Sequence, residues 1–211
     1  SKPVSLHPHP LFDNFGEILS KTEACSLLGL NPQFDYLLFF GFIRDYKGLD
    51  LLMKATGRLK GALGKVKVLV AGEFYSNEEY YKLLEKKLGI EDRIIWHDKF
   101  IADEDVKAYF SIADLVVQPY KSATQSGVTQ IAYHFEKPMI VTNVGGLPEL
   151  VPHGKVGYVT EVNDEAVADA IVKFYSDTDR ENIQLNIRKQ KLKFSWSSMC
   201  NTILELYKEL S

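Results

Sequence analysis

Residues 36–48 read YLLFFGFIRDYKG, and the fifteen that follow, 49–63, read LDLLMKATGRLKGAL. The first half is a run of aromatic and β-branched or aliphatic side chains that predicts a strand from Tyr36 to Ile43. The second half places apolar residues three and four apart, which predicts a helix from Leu49 to Leu63. A buried strand that passes through a short glycine-bounded loop into an amphipathic helix is the unit of a parallel sheet, because parallel neighbours need a crossover between them.

The same alternation recurs along the chain. Further strands are predicted at Lys65 to Glu73, Arg93 to His97, Leu115 to Pro119, Pro138 to Thr142 and Gly157 to Glu161. Helices are predicted around Asn77 to Leu88, Asp103 to Ile112, Gly127 to Phe135 and Glu165 to Tyr175. Asn77 and Asp103 stand before acidic residues and suit helix starts. The expected fold class is therefore α/β, a Rossmann-like parallel six-stranded sheet with helices on both faces. Residues 1–20 show little regular pattern, and residues 180–211 read as two C-terminal helices joined near Ser195. Over 211 residues this predicts one domain.

Bulk composition narrows the function. Hydrophobic residues make up 45% and charged residues 25%, ordinary for a globular chain. A net charge of −3 supplies no basic field, so nucleic acid is not expected as a partner and any anion must be held locally. Cys25 and Cys200 stand far apart, which excludes a disulfide framework and suits a cytoplasmic setting. No apolar run reaches the length of a membrane span, and Ser1 to Pro10 has no signal pattern. The absence of an initiator Met predicts that the chain is part of a longer protein.

In open parallel sheets, ligands bind beyond the carboxyl ends of the strands, so the chemistry is sought in those loops. After the first strand, Arg44 and Lys47 set a guanidinium and an ammonium three residues apart, between Gly41 and Gly48. Both are phosphate-binding groups, Arg by forking onto two oxygens and Lys as a compact charge. Each taken singly also reads as a solvated loop charge. After the fourth strand, Ser122, Thr124, Ser126, Gly127 and Val128 form a polar loop that enters a helix. Free backbone N–H groups and the helix dipole there favour a phosphate, although Ser126 also reads as a simple N-cap. After the fifth strand, Gly145 and Gly146 allow a tight turn or a close approach to a ligand.

Several classes are excluded by what is missing. There is no Walker loop, no Gly-x-Gly-x-x-Gly after the first strand and no Gly-x-Ser-x-Gly elbow. The five histidines are dispersed and offer no metal site.

The run from Phe39 to Ala55 with Gly41, Arg44, Lys47 and Gly48, then Val68 to Gly72, Ala113-Asp114, Pro119, and Lys137-Pro138 through Gly145-Gly146-Leu147-Pro148-Glu149 resembles the C-terminal domain of retaining GT-B glycosyltransferases of the group 1 type. The resemblance covers nearly the whole chain. It implies one half of a GT-B fold that binds a nucleoside-diphosphate sugar as donor substrate, with no cofactor and no metal. Arg44 and Lys47 would hold the donor diphosphate and serve catalysis. The family's glutamate pair, which contacts donor sugar and ribose, falls on Ser122 and Gln130, so both contacts would be neutral here. Residues 1–20 would be the connector from an N-terminal acceptor-binding domain outside this sequence, through which peripheral membrane contact would come. Two alternatives stay open: a non-catalytic nucleotide-sugar-binding module, and a GT-B-fold nucleotide-sugar epimerase, which would need acidic and histidine groups in its cleft.

Overall fold

The structure, a computed structural model, describes residues 3–5, 7–59, 61 and 63–210. Ser1, Lys2 and Leu6 of the expected connector, Lys60 and Ala62 of the first expected helix, and Ser211 lie outside the described residues. The chain enters through helix α1 (Lys21–Leu28) and strand β1 (Asp35–Phe40). Alternation follows through α2 (Leu49–Arg58), β2 (Val66–Ala71), α3 (Glu78–Leu88), β3 (Ile94–His97), α4 (Asp103–Ile112) and β4 (Leu115–Gln118). It continues through α5 (Gly127–His134), β5 (Met139–Thr142), α6 (Leu147–Leu150), β6 (Gly157–Thr160) and α7 (Asp164–Ser176). Helices α8 (Arg180–Lys191) and α9 (Trp196–Leu210) follow, with Ser195 at the break between them.

All six strands are parallel, in the order β3-β2-β1-β4-β5-β6. The order reverses between β1 and β4. Their onward connections leave on opposite faces at that point, and a crevice opens beyond their carboxyl ends. Strand alternation builds a separate core on each face. Leu37, Phe39, Val68, Val70, Leu115, Val117 and Ile140 meet α2, α3 and α7. Tyr36, Leu38, Leu69, Ala71, Val116, Met139 and Val141 meet α1, α4, α5 and α8. Each fully buried leucine or isoleucine in these layers contributes about 1.5–3 kcal/mol. Among the described residues no helix is long and apolar enough to cross a membrane.

Local physics moved several expected boundaries. β1 stops at Phe40 because Gly41 turns the chain at φ 89°, and Ile43 touches the sheet only as a single bridge to Phe74. Helix α1 carries no strong apolar period, yet Ser20 and Glu23 form a full capping box that starts it, and Gly29 ends it. Asn77 precedes α3 in the left-handed region with no side-chain bond to the helix, so it turns the chain rather than capping it.

Candidate functional site

Three loops meet over the β1/β4 switch point. Gly48, at φ 70°, lies so close to the next loop that a Cβ there would stand 1.9 Å from Pro119 O. Gly145, at φ 51°, presses the β5–α6 turn onto the β4–α5 loop, where a Cβ would stand 1.8 Å from Ala123 O. Both positions need glycine twice over, for the backbone angle and for the space. Gly146 N–H adds a hydrogen bond to Thr124 O at 2.9 Å.

The loops enclose a cleft of about 710 Å³. Tyr46, Lys47 and Tyr120 form one side, and residues 122–128 with Ile131 form the other. Of the expected residues, Lys47, Ser122, Thr124, Ser126, Gly127 and Val128 are thus brought together on one surface. α5 begins at Gly127 and points its free N–H groups and positive dipole end into this space. The lining carries one cation and no carboxylate.

Lys47 sits in the single 3-10 turn Asp45–Lys47 and is only 9% exposed. Its Nζ lies 2.9 Å from the position a Cβ would take on Gly41. Among the described residues it has no ion pair. Burial, and then the neighbouring Arg44 charge, pull its ammonium down to about 8. Arg44 does not line the cleft; its guanidinium lies 4.2 Å from the Tyr75 ring centroid and 6.0 Å from that of Phe42. Its Nε is buried without a hydrogen-bond partner. Two neighbouring cations therefore stand without an ion-pair partner among the described residues, and their charges repel.

The hydroxyl groups are oriented by their own contacts. Ser126 precedes α5 but does not cap it with its side chain; its Oγ lies 3.3 Å from the Tyr120 hydroxyl. Burial pushes that phenol up to about 12, so it stays a neutral donor near pH 7. Gly145 and Gly146 do not line the cleft: Gly146 borders an adjoining groove, and Gly145 packs against the 122–128 loop.

Gln130, expected to contact the ribose, stands apart from the other expected residues of its loop and helix. It is 2% exposed and absent from the cleft lining, with its Oε1 buried and unpartnered. Ile131 faces the cleft instead. One residue along a helix is a rotation of roughly 100°, so a shift of one position decides which side chain faces the ligand space. Gln125, a neutral group of the same loop, also lines the cleft, as do Tyr46 and Tyr120, which were not among the expected site residues. Among the described residues no group of three or more His, Cys, Asp or Glu side chains is arranged to hold a metal ion.

Fold and site together define a doubly wound α/β domain whose switch-point cleft is lined by one cation and no carboxylate. Residues 23–190 match the family described as "Glycosyl transferases group 1", and the chain belongs to that family. It is 26% identical over 194 residues to a D-inositol 3-phosphate glycosyltransferase of Paenarthrobacter aurescens, covering 90% of this chain and 47% of that protein. It is 30% identical over 161 residues to another from Pseudarthrobacter chlorophenolicus, covering 74% of this chain and 38% of that protein. The chain thus spans less than half the length of these relatives. The solved C-terminal domain of the group 1 glycosyl transferase LpcC from Francisella tularensis superposes with a TM-score of 0.72 at 19% identity, covering 87% of this chain and 97% of that one. Sucrose-phosphate synthase from Thermosynechococcus elongatus gives a TM-score of 0.79 at 20% identity, covering 98% of this chain and 52% of that one. Anabaena HepE, solved in complex with UDP and glucose, gives 0.71 at 22% identity, over 90% of this chain and 52% of that one. The fold is that of the C-terminal half of a GT-B molecule.

Proposed function

We propose that this domain binds the diphosphate of a nucleoside-diphosphate sugar in the 710 Å³ cleft and serves retaining transfer of the sugar. The acceptor would be supplied by an N-terminal domain of the same protein. The observation that carries the reading is Lys47, buried without an ion pair among the described residues, with Arg44 as its charged neighbour, in the same cleft as the amino end of α5. As the glycosidic bond breaks, negative charge grows on the departing diphosphate. Preorganised donors at that point stabilise the charge without any reorganisation of their own. Lys47 supplies a charge, Arg44 a forked donor after swinging off Tyr75, and Gly127 and Val128 backbone N–H groups, with Ser122, Thr124 and Ser126 as neutral donors. The UDP complex of Anabaena HepE supports the same ligand class here.

Calorimetric titration with uridine, guanosine and adenosine diphosphates tests the reading. Binding of at least one is expected, with no sugar transfer by this chain alone, since the acceptor would be held by the N-terminal domain. Absence of binding by all three overturns the proposal, and turnover by the 211-residue chain overturns the division of labour. A second reading, nucleotide-sugar binding without catalysis, is favoured by the lack of any carboxylate in the lining. Turnover in the protein that includes the N-terminal domain separates the two. The epimerase reading loses support, because neither an acidic side chain nor a histidine lines the cleft.

A further inference from the structure

Lys121 is a cation in the middle of the β4–α5 loop, between two residues that line the cleft, yet it does not line the cleft itself. Its side chain turns away to the β1–α2 connection. Nζ lies 2.8 Å from Asp45 Oδ1 and 3.0 Å from Asp50 Oδ1. The Asp50 contact is an ion pair without the alignment of a hydrogen bond, since that oxygen has no aligned donor. The Lys121 backbone N–H donates to Tyr46 O at 2.7 Å. The two loops also meet at the close approach of Gly48 to Pro119 O and at an edge-on contact of Tyr46 with Tyr120, centroids 6.0 Å apart. Asp50 is 8% exposed through its side chain and is shared with Lys54 Nζ at 3.2 Å. One partner therefore remains if Lys121 is removed, and the carboxylate is not stranded.

A diphosphate held as proposed above touches both loops at once: Lys47 belongs to one, and the hydroxyls and the α5 N–H groups belong to the other. Affinity for such a ligand depends on the distance between the loops, because each contact preorganised before binding saves ordering cost during it. Lys121 is the only side chain of the 119–126 segment that forms an ion pair among the described residues, and both of its partners flank Lys47 in sequence. Burial lowers the Lys121 ammonium pKa, but the Asp45 and Asp50 carboxylates outweigh it and leave it raised, so it stays charged.

We infer that Lys121 is a positioning residue: with Asp45 and Asp50 it clamps the β4–α5 loop to the Lys47 turn and sets the spacing of the two walls that receive the diphosphate. The inference rests on the diphosphate reading, and it makes a sign prediction that a phosphate-contacting Lys121 does not. Asp50→Asn removes a negative charge beside an anion site, so charge alone predicts tighter binding. The clamp predicts weaker binding.

The experiment titrates uridine, guanosine and adenosine diphosphates into the wild-type chain and into Lys121→Met, Lys121→Arg and Asp50→Asn, with amide hydrogen exchange and thermal melts on each. With the nucleotide that binds best, Lys121→Met is expected to weaken affinity about tenfold, as for coupled neighbouring groups. Asp50→Asn weakens it in the same direction. Lys121→Arg, which can fork onto both carboxylates, stays within about twofold of wild type. Amides of residues 44–48 and 120–126 exchange faster in Lys121→Met and Asp50→Asn, while the strands keep their protection. Tighter or unchanged binding by Asp50→Asn overturns the clamp, as does lost affinity in Lys121→Met with unchanged loop exchange, which makes Lys121 a direct ligand. If wild type binds none of the three nucleotides, the diphosphate reading fails, and the clamp is then judged by exchange alone: unchanged loop protection overturns it.

Discussion

Lys137 and Lys47 are both largely buried lysines, and the sheet places them at opposite ends of its strands. Burial lowers the ammonium pKa in both. At the amino end, Lys137 Nζ donates to Ser111 O at 2.9 Å, and the Asp114 carboxylate offsets part of the cost. Nearby Lys21 forks onto the same Asp114 at 2.9 and 3.1 Å. At the carboxyl end, Lys47 has Arg44 as its charged neighbour, and the repulsion adds to burial. The arginines differ in the same way. Arg93 directs its Nη1 and Nη2 groups at the carbonyls of Leu59, Leu63 and Val66, with only its Nε left unpartnered, whereas Arg44 rests on an aromatic ring and makes no hydrogen bond among the described residues. The contrast teaches that a buried cation is structural where the chain completes its partners and ligand-directed where the chain leaves them incomplete.

The largest expected effect breaks the structural side of this contrast. Arg93→Met leaves buried carbonyls without their donors and should cost about 3 kcal/mol of stability. Urea denaturation reads that loss, and titration of the same variant should show nucleotide affinity unchanged. On the other side, Arg44→Ala and Lys47→Ala should each weaken diphosphate binding by about 1.5–3 kcal/mol, the scale of charged hydrogen bonds, with melting temperatures preserved. A fall in stability with affinity intact would place both residues in the structural class.

The pH dependence sharpens the comparison next. The free folded domain releases the Lys47 proton near 8, while the unfolded chain holds it to the ordinary 10.5. Between those values the unfolded state binds more protons, so the Lys47 contribution to stability rises with pH across that window. Diphosphate binding needs the charged form and runs the other way, falling above pH 8 by at most about tenfold per pH unit. Isothermal titrations at about pH 7 and about pH 9 check this, and Lys47→Arg should remove the fall. The smallest effect is expected at Gln130: Gln130→Met should keep affinity within about twofold and shift stability by less than about 1 kcal/mol, because its Oε1 is already unpartnered. A tenfold loss of affinity would return Gln130 to the ligand site.

The six strands and most of the helices between them were legible in sequence because each depends on nearby residues; the four-residue helix α6 was not, being too short to show a period. Apolar runs in 36–43 and 115–119 make strands, and period 3.6 in 103–112 and 165–175 makes helices. The capping box at Ser20 and Glu23 was equally local, and a reading guided by apolar period passes over it. The exit of Lys47 and Ser126 at one crevice followed from the parallel order, which fixes where carboxyl ends gather. Tertiary structure alone decided the rest. Whether Gln130 or Ile131 faces the cleft depends on how α5 is rotated against β4, and neither residue type reveals that rotation. Lys121 reads like any loop lysine until Asp45 and Asp50, 76 and 71 positions earlier, are brought within 3.0 Å of it. Burial and the meeting of charges from distant segments are properties of the packed chain. They give Arg93 its carbonyl partners within the chain and leave Arg44 with none among the described residues.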